Sequence, residues 1–338
     1  MSAPILDLAH VSKSFAPRLT LGDKIAARLG GDVETRSVQA VREVSLSLAK
    51  GETLGLVGES GCGKSTLGRI AAGIMRPSAG AVHLDGAPMM APSGTKLTTR
   101  VQTVFQDPFA SLNPRIKIGE TIAEGPIAHG LVARSKARAY VAEWLDLVGL
   151  DPGFAERYPH QFSGGQRQRV AIARALAMRP DILVCDEPVA SLDVSIQAQI
   201  VNLLLKLKRE LDLTYLFISH DLGVVRHISD RVAIMYLGRI VEIGETVPLY
   251  EAPQHPYTQA LLASVPRLVT EENAFADFTP ITGEIPSPLA PPPGCPFHTR
   301  CPHAGPRCVE EVPPLIPGSA PRPTACHLYT GGVGRIAA

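Results

Sequence analysis

The chain has 338 residues, 45% of them hydrophobic, and a formal net charge of +1. That length exceeds one ordinary core and implies two domains, or one domain with a large appendage. The near-neutral charge gives no electrostatic case for nucleic acid or an anionic membrane as main partner, and no apolar run approaches the ~18 residues needed to span a bilayer. The first residues, Met1 to Asp7, lack a basic segment followed by an apolar one, so a cytosolic chain without a signal peptide is expected.

In chain order, residues 5–8 and 44–48 read as early strands. Residues 16–40 between them are polar, carry glycine and have a helical pattern from Leu21 to Leu29, so they read as an insertion. Thr53 to Val57 is an apolar run of strand type, and Leu67 to Ile74 reads as the start of a helix. Between these two lies Gly58-Glu59-Ser60-Gly61-Cys62-Gly63-Lys64-Ser65-Thr66, which fits G-x-x-x-x-G-K-[ST]. A strand, a glycine loop and a helix start aim several backbone N–H groups at one place beside a positive helix end, which makes a phosphate cradle. Lys64 is expected to reach the β- and γ-phosphates, Ser65 to bind Mg²⁺, and Thr66 to assist at the phosphates. A chance glycine-rich turn is the bland alternative, and the flanking strand and helix argue against it.

Further along, Val82 to Leu84 and Val101 to Phe105 read as strands, and residues 119–150 show helical apolar spacing in which Trp144 reads as core. Residues 165–178 read as a strong helix. Ile182 to Cys185 is a short apolar run ending in Asp186-Glu187, typical of a buried parallel strand. Ile196 to Leu211 reads as a helix, and Tyr215 to Ile218 and Arg231 to Met235 as strands. Strands alternating with helices predict an α/β fold with a mainly parallel sheet covered on both faces. Composition shifts near residue 245. Helix signals persist to about Ala263, and a Pro-rich stretch (Pro286, Pro288, Pro291, Pro292, Pro293) then leads into Cys295, Cys301, Cys308 and Cys326. Such a segment has little core of its own and needs a staple.

Three features narrow the chemistry. Carboxylates that end a buried strand, as Asp186 and Glu187 do, can hold Mg²⁺ and orient or deprotonate an attacking water. Phe162-Ser163-Gly164-Gly165-Gln166 opens the strong helix. Its hydroxyl, glycine N–H groups and dipole suit an anion, although Ser163 is also a good ordinary N-cap. His220 follows a buried strand, where a histidine can be structural or catalytic.

The order of the glycine loop, Gln106, Ser163-Gly164-Gly165-Gln166, Asp186-Glu187, Leu192-Asp193 and His220 resembles the ATP-binding subunit of an ABC transporter. The phrases Phe105-Gln106-Asp107-Pro108-Phe109-Ala110-Ser111-Leu112-Asn113-Pro114-Arg115, Arg157-Tyr158-Pro159-His160-Gln161-Phe162-Ser163 and His255-Pro256-Tyr257-Thr258 are similar to importers of the oligopeptide/dipeptide/nickel type. The likeness runs from Ile5 to the last cysteine. It departs from the family at Phe162, where Leu is commoner, and at Ala190-Ser191, where Ser-Ala is commoner; Asp193 stays in place.

The resemblance implies a P-loop NTPase core of RecA type with an antiparallel β subdomain and a helical signature subdomain over about 107–175. Together these make an ATPase domain over 1–245, followed by a peptide-importer-type extension over 246–338. It implies ATP and Mg²⁺ as cofactors. Lys64, Ser65 and Thr66 would bind phosphates and metal, with Gln106 and Asp186 at Mg²⁺, Glu187 as general base and His220 at the γ-phosphate. Ser163, Gly164, Gly165 and Gln166 would grip ATP on an opposite subunit, Asp193 would link the two sites, and Phe15 would stack on adenine. It further implies pairing with a paralogous ATPase (a homodimer being the alternative), two membrane permeases, indirect service to an extracytoplasmic solute-binding protein, no nucleic acid, and a peripheral place on the cytoplasmic face of the membrane.

The four tail cysteines are separated by five, six and seventeen residues and lack the C-x2-C pairs of common zinc ribbons. In a reducing compartment such a cluster disfavours disulfides. Four thiolates can bind a [4Fe–4S] cluster or Zn²⁺, and His298, His303 and His327 lie near enough in sequence to replace a ligand. The resemblance favours the cluster, in a structural role. A soluble ABC-type ATPase acting in DNA repair or translation is the rival reading.

Overall fold

The computed structural model describes residues 3–16, 37–107, 111–264, 281, 283–316 and 322–330. Its first part comprises β1 (Leu6–Phe15), β2 (Val38–Leu48), β3 (Thr53–Val57), α1 (Lys64–Ala71), β4 (Ala79–Leu84), β5 (Ala87–Pro88) and β6 (Val101–Val104). Then come α2 (Ile118–Ala128), α3 (Ala137–Leu147), α4 (Gly164–Leu176), β7 (Ile182–Asp186), α5 (Val194–Leu211), β8 (Thr214–Ile218), α6 (Leu222–Ile228), β9 (Arg231–Tyr236) and β10 (Arg239–Glu245). The C-terminal part adds α7 (Thr246–Glu251), α8 (Pro256–Ala263), α9 (Pro306–Glu310) and α10 (His327–Thr330).

Short apolar runs buried on both faces pair in parallel, and the central sheet has the order β10-β9-β3-β8-β7-β6. β9, β3, β8, β7 and β6 run parallel, and β10 returns antiparallel on β9. A second, antiparallel sheet has the order β2-β1-β4-β5. The two-residue period of the central strands sorts their side chains onto two cores. Leu54, Leu56, Val184, Leu216, Ile218, Ala233 and Met235 face α1 and the antiparallel sheet. Leu183, Cys185, Tyr215, Phe217, Val232, Ile234 and Tyr236 face the helical side, built from α2 to α6. Each fully buried aliphatic side chain contributes roughly 1.5–3 kcal/mol relative to exposure, so both faces are strongly fixed.

Two strands extend beyond the apolar runs that announce them. β1 continues past Leu8 and β2 begins before Val44, because irregular register at His10 (φ 48°) and Glu43 (φ 50°) breaks the alternation without ending the pairing. Val38 to Ala40, expected as insertion, are therefore strand. The Leu21 to Leu29 helical pattern lies outside the described residues. Trp144 is buried, as expected.

The helical-side core does not stop at Glu245. Leu249, Tyr257, Leu261 and Phe297 belong to it, so the residues after β10 share the core of the α/β fold. Its last segment is pinned to β10 by Ala325 N–H on the Val241 carbonyl (2.8 Å) and Ile243 N–H on the Pro323 carbonyl (3.1 Å).

Candidate nucleotide site and cysteine cavity

In an open parallel sheet, loops at the carboxyl ends of the strands build the site. Here the loop Gly58–Gly63 leaves β3, Gln106 follows β6, Glu187 follows β7 and His220 follows β8. Two glycines make the loop possible. A Cβ on Gly58 would lie 2.1 Å from the Met235 carbonyl oxygen, and one on Gly63, at φ 108°, 2.1 Å from that of Ala40. Lys64 is buried and folds back along the loop, donating to the carbonyls of Gly58 (2.7 Å) and Glu59 (3.0 Å). Two loop N–H groups are engaged within the protein: that of Cys62 on the Glu59 carbonyl (3.3 Å) and that of Glu59 on the Tyr257 hydroxyl (2.9 Å). The Cys62 side chain points inward, and burial pushes its thiol up. Ser60 and Gly61 are exposed at the loop's crest, and Thr66 lies half-buried in the first turn of α1.

Ser65 and Asp186 meet: the hydroxyl donates to Oδ1 at 2.8 Å. Burial raises the Asp186 carboxyl above its ordinary value, while Ser65 and Arg69 pull it back. A buried carboxylate of that kind favours a cation beside it. Ser65, Arg69, Phe105, Gln106, Asp107, Ser111 and Asp186 line one cavity of 330 Å³, so the three expected metal-side residues share a rim. Glu187 has a left-handed backbone (φ 49°), fixed by its N–H on the Ile218 carbonyl at 2.9 Å. This turns its carboxylate to 3.4 Å from His220 Nδ1.

Ser163, Gly164, Gly165 and Gln166 are not brought to that rim: none of them lines the cavity. Ser163 caps α4 in a reciprocal box, with Gln166 N–H on its hydroxyl (3.3 Å) and its own N–H on Gln166 Oε1 (3.0 Å). Gly165 lets α4 approach α5, since a Cβ there would lie 2.6 Å from Ile196 Cγ2. Asp193 precedes α5, exposed and without a side-chain capping bond, beside Val194 at 82% exposure. Phe15 ends β1, 40% exposed, with Lys13 Nζ 5.4 Å from its ring centroid. It pairs with Val38, two residues before the Ala40 carbonyl that abuts Gly63.

Cys295, Cys301, Cys308 and Cys326 are all free and line one cavity of 240 Å³ with His298, His303 and His327. Among the described residues no group of three or more His, Cys, Asp or Glu is set to hold a metal ion. Burial pushes the Cys301 thiol up, Cys295 to about 11 and Cys326 to about 12. Backbone N–H groups of Phe297 and His298 oppose this at Cys295, that of His303 at Cys301 and that of Leu328 at Cys326. A ring nitrogen of His298 lies 2.8 Å from the Cys295 carbonyl oxygen and one of His327 3.0 Å from that of Glu311.

Sequence reasoning did not find Arg300 or Tyr257 at the loop. Nothing in motif spacing marks a contact between residues so distant in the chain.

Residues 41–190 match the ABC transporter family, and residues 241–308 match the oligopeptide/dipeptide transporter C-terminal region. The oligopeptide transport ATP-binding protein AppF of Bacillus subtilis is 50% identical over 330 residues, covering 96% of this chain and 98% of that protein. The chain belongs to the ATP-binding subunits of ABC transporters, in the oligopeptide/dipeptide branch. OppF of Salmonella typhimurium, also an oligopeptide transport ATP-binding protein, is 48% identical, covering 86% of this chain and 88% of that one. Two solved structures share the fold. CbiO1 from Clostridium perfringens, part of the ABC transporter complex cbiONQ, has a TM-score of 0.61 at 27% identity, covering 74% of this chain and 92% of that one. The ATP-binding cassette MJ0796, a dimer in a post-hydrolysis state with ADP and Pi, has a TM-score of 0.60 at 28% identity, covering 71% of this chain and 98% of that one. As a member of this ABC family the chain is an ATPase that uses ATP and Mg²⁺. The rival of an ABC-type ATPase uncoupled from transport is set aside, because the matched C-terminal region is that of transporters.

Proposed function

We propose that this chain powers the import of peptides or related small solutes through a membrane permease. Each site would be built between two ATPase subunits, the second a paralogue of this chain. The observation that carries the reading is the split of the site. Lys64, Ser65, Gln106, Asp186, Glu187 and His220 gather at one set of strand ends, while Ser163–Gln166 at the start of α4 and Asp193 before α5 do not line the cavity that Ser65, Gln106 and Asp186 share. A second subunit placing its own α4 N-terminus against this loop would complete a γ-phosphate cage. Lys64 would hold the phosphates. Ser65, Gln106 and Asp186 would hold Mg²⁺, and Phe15 would offer its face to adenine. Glu187 would take a proton from the attacking water, with His220 fixing the carboxylate and meeting the γ-phosphate. Closure on ATP and release after hydrolysis would drive two permease subunits, served outside by a solute-binding protein. No helix among the described residues is long and apolar enough to cross a membrane, which suits a peripheral subunit at the cytoplasmic face. We take residues 1–245 as the ATPase domain, with its helical part near 107–175, and 246–338 as the extension.

In the extension, we propose a [4Fe–4S] cluster in a structural role. The four thiols line one cavity, and three of them take backbone N–H bonds that favour thiolate. Cys295, Cys301, Cys308 and Cys326 would hold it. When bound, it would cross-link three stretches of a segment poor in core.

The test is to purify the tagged chain anaerobically from its own solubilised membranes. Two multi-span permeases and a second ATPase are the expected companions, with iron and sulfide in equal amounts. Ribosomes, repair factors or no membrane protein would sink the transport reading, and stoichiometric zinc would sink the cluster.

A further inference from the structure

Arg300 reaches the glycine loop from the other end of the chain. It closes the 3₁₀ turn His298–Arg300, directly before Cys301, and its side chain is 3% exposed. Nη1 donates to Glu59 Oε2 at 2.8 Å and Nη2 to Oε1 at 3.1 Å, a two-pronged contact across 241 positions. Nη1 also reaches the Tyr236 hydroxyl at 3.3 Å. The Glu59 N–H is held by the Tyr257 hydroxyl and its carbonyl by Lys64. Every polar group of Glu59 is thus engaged, two of the three by the extension. Beneath the contact, the ring of Tyr236 packs on those of Tyr257 (4.6 Å between centroids) and Phe297 (5.3 Å), which leaves the guanidinium little room to swing away.

The chemistry of Glu59 is otherwise out of place. A carboxylate in a loop that receives a polyphosphate repels its own ligand unless a cation neutralises it. Lys64 donates to the loop carbonyls and would turn to the phosphates, whereas Arg300 sits on the Glu59 carboxylate itself, so the neutralising charge comes from Arg300. We infer that Arg300 is a positioning residue for the nucleotide: it cancels the Glu59 charge beside the phosphates, so affinity for ATP depends on the C-terminal extension. This rests on reading Gly58–Thr66 as the phosphate cradle.

The test is Mg-ATP affinity of the full chain, with adenosine as the uncharged control. Arg300→Gln is expected to raise the Kd for Mg-ATP at least tenfold and that for adenosine less than twofold. Arg300→Lys, which keeps the charge, should stay within about threefold of the parent. Adding Glu59→Gln to Arg300→Gln should restore most of the loss, a rescue that a merely structural contact would not show. In the assembled transporter the loss should fall on KM for ATP rather than on kcat. Should Arg300→Gln not fold, Glu59→Gln alone decides: tighter binding of Mg-ATP supports the inference and weaker binding overturns it. An Arg300→Gln Kd within twofold of the parent, or a double variant as weak as the single one, also overturns it. A parent chain that fails to bind Mg-ATP overturns the cradle reading and this inference with it. A parent that binds alongside an unaffected Arg300→Gln overturns this inference alone.

Discussion

Replacing Arg322 by Met is expected to destabilise the chain by about 3–5 kcal/mol, the cost of stripping one partner from a buried ion pair. Glu242 is fully buried and the Arg322 side chain 8% exposed, with Nε 3.0 Å from Oε1. That nitrogen lies off the hydrogen-bond line, so the contact is mainly coulombic. At an effective dielectric near 20, two unit charges at this distance attract by about 5.5 kcal/mol, against several kcal/mol of desolvation for each ion. The pair is therefore near balance when whole and costly when halved. In Arg322→Met the Glu242 carboxylate keeps the N–H groups of Gln254 and His255, each at 3.0 Å, but loses the facing cation. The Ala252 carbonyl, which now accepts from Arg322, is also orphaned. At roughly 2–4 °C per kcal/mol for a cooperative unit of 150–250 residues, the midpoint of thermal unfolding should fall by about 6–20 °C, read by calorimetry on the full chain. The double variant Arg322→Met/Glu242→Gln should recover most of that, because no buried charge remains. A single variant within about 1 kcal/mol of the parent, or a double variant no better than the single, would refute the reasoning.

Glu187→Gln should lower steady-state hydrolysis by roughly 10²–10⁴-fold while the Kd for Mg-ATP moves only a few-fold; equal losses in both would show that Glu187 holds nucleotide instead of activating water. Burial holds the His255 imidazole down to about 3, against 6.5 for the exposed group. The unfolded chain therefore takes up a proton that the folded chain refuses as pH falls from 6.5 toward 3. Stability is complete above 6.5 and is lost on acidification at up to about 1.4 kcal/mol per pH unit. His255→Asn, which can still cap α8, should flatten the dependence of the urea midpoint on pH between 6.5 and 4.5; an unchanged slope would assign the acid sensitivity elsewhere.

The strand-end half of the site was legible because each part is local. A buried strand followed by glycines, or by two carboxylates, states its own geometry within a few residues, and parallel pairing then aligns the ends. Ser163-Gly164-Gly165-Gln166 was legible in both its senses, and its capping box coexists with the role proposed for it. The strand bulges at His10 and Glu43 were not legible, since a bulge erases the alternation that reveals a strand. β10 was missed because Arg239, Glu242 and Glu245 interrupt its apolar residues, and the need for Glu242 inside is explained only by Arg322, far along the chain. Arg300 and Tyr257 were hidden for the same reason. A contact made by one side chain across the whole sequence leaves no periodicity and no motif, only an arginine between cysteines and an acidic residue in a loop where acid is unexpected. The second of these is a usable signal. A carboxylate in a phosphate-binding loop calls for a cation, and that cation can be sought in parts of the chain to which the motif assigns no role.

The extension and the loop also depend on each other. Residues 283–316 have little core of their own and take their order from Phe297 under Tyr236 and from Arg300 on Glu59. The loop in turn takes from them the fixing of Glu59. Coupling between two sites is reciprocal in free energy. Whatever factor Arg300 contributes to ATP affinity, bound ATP must return to the stability of the turn that carries Arg300 and Cys301. In the transport cycle proposed above, the loop would alternate between nucleotide-bound and empty states, and the cysteine-bearing segment would feel that alternation through one guanidinium. A cross-link among Cys295, Cys301, Cys308 and Cys326 would limit how far the segment can loosen when the loop is empty. This gives a physical reason to place a covalent staple within one residue of Arg300.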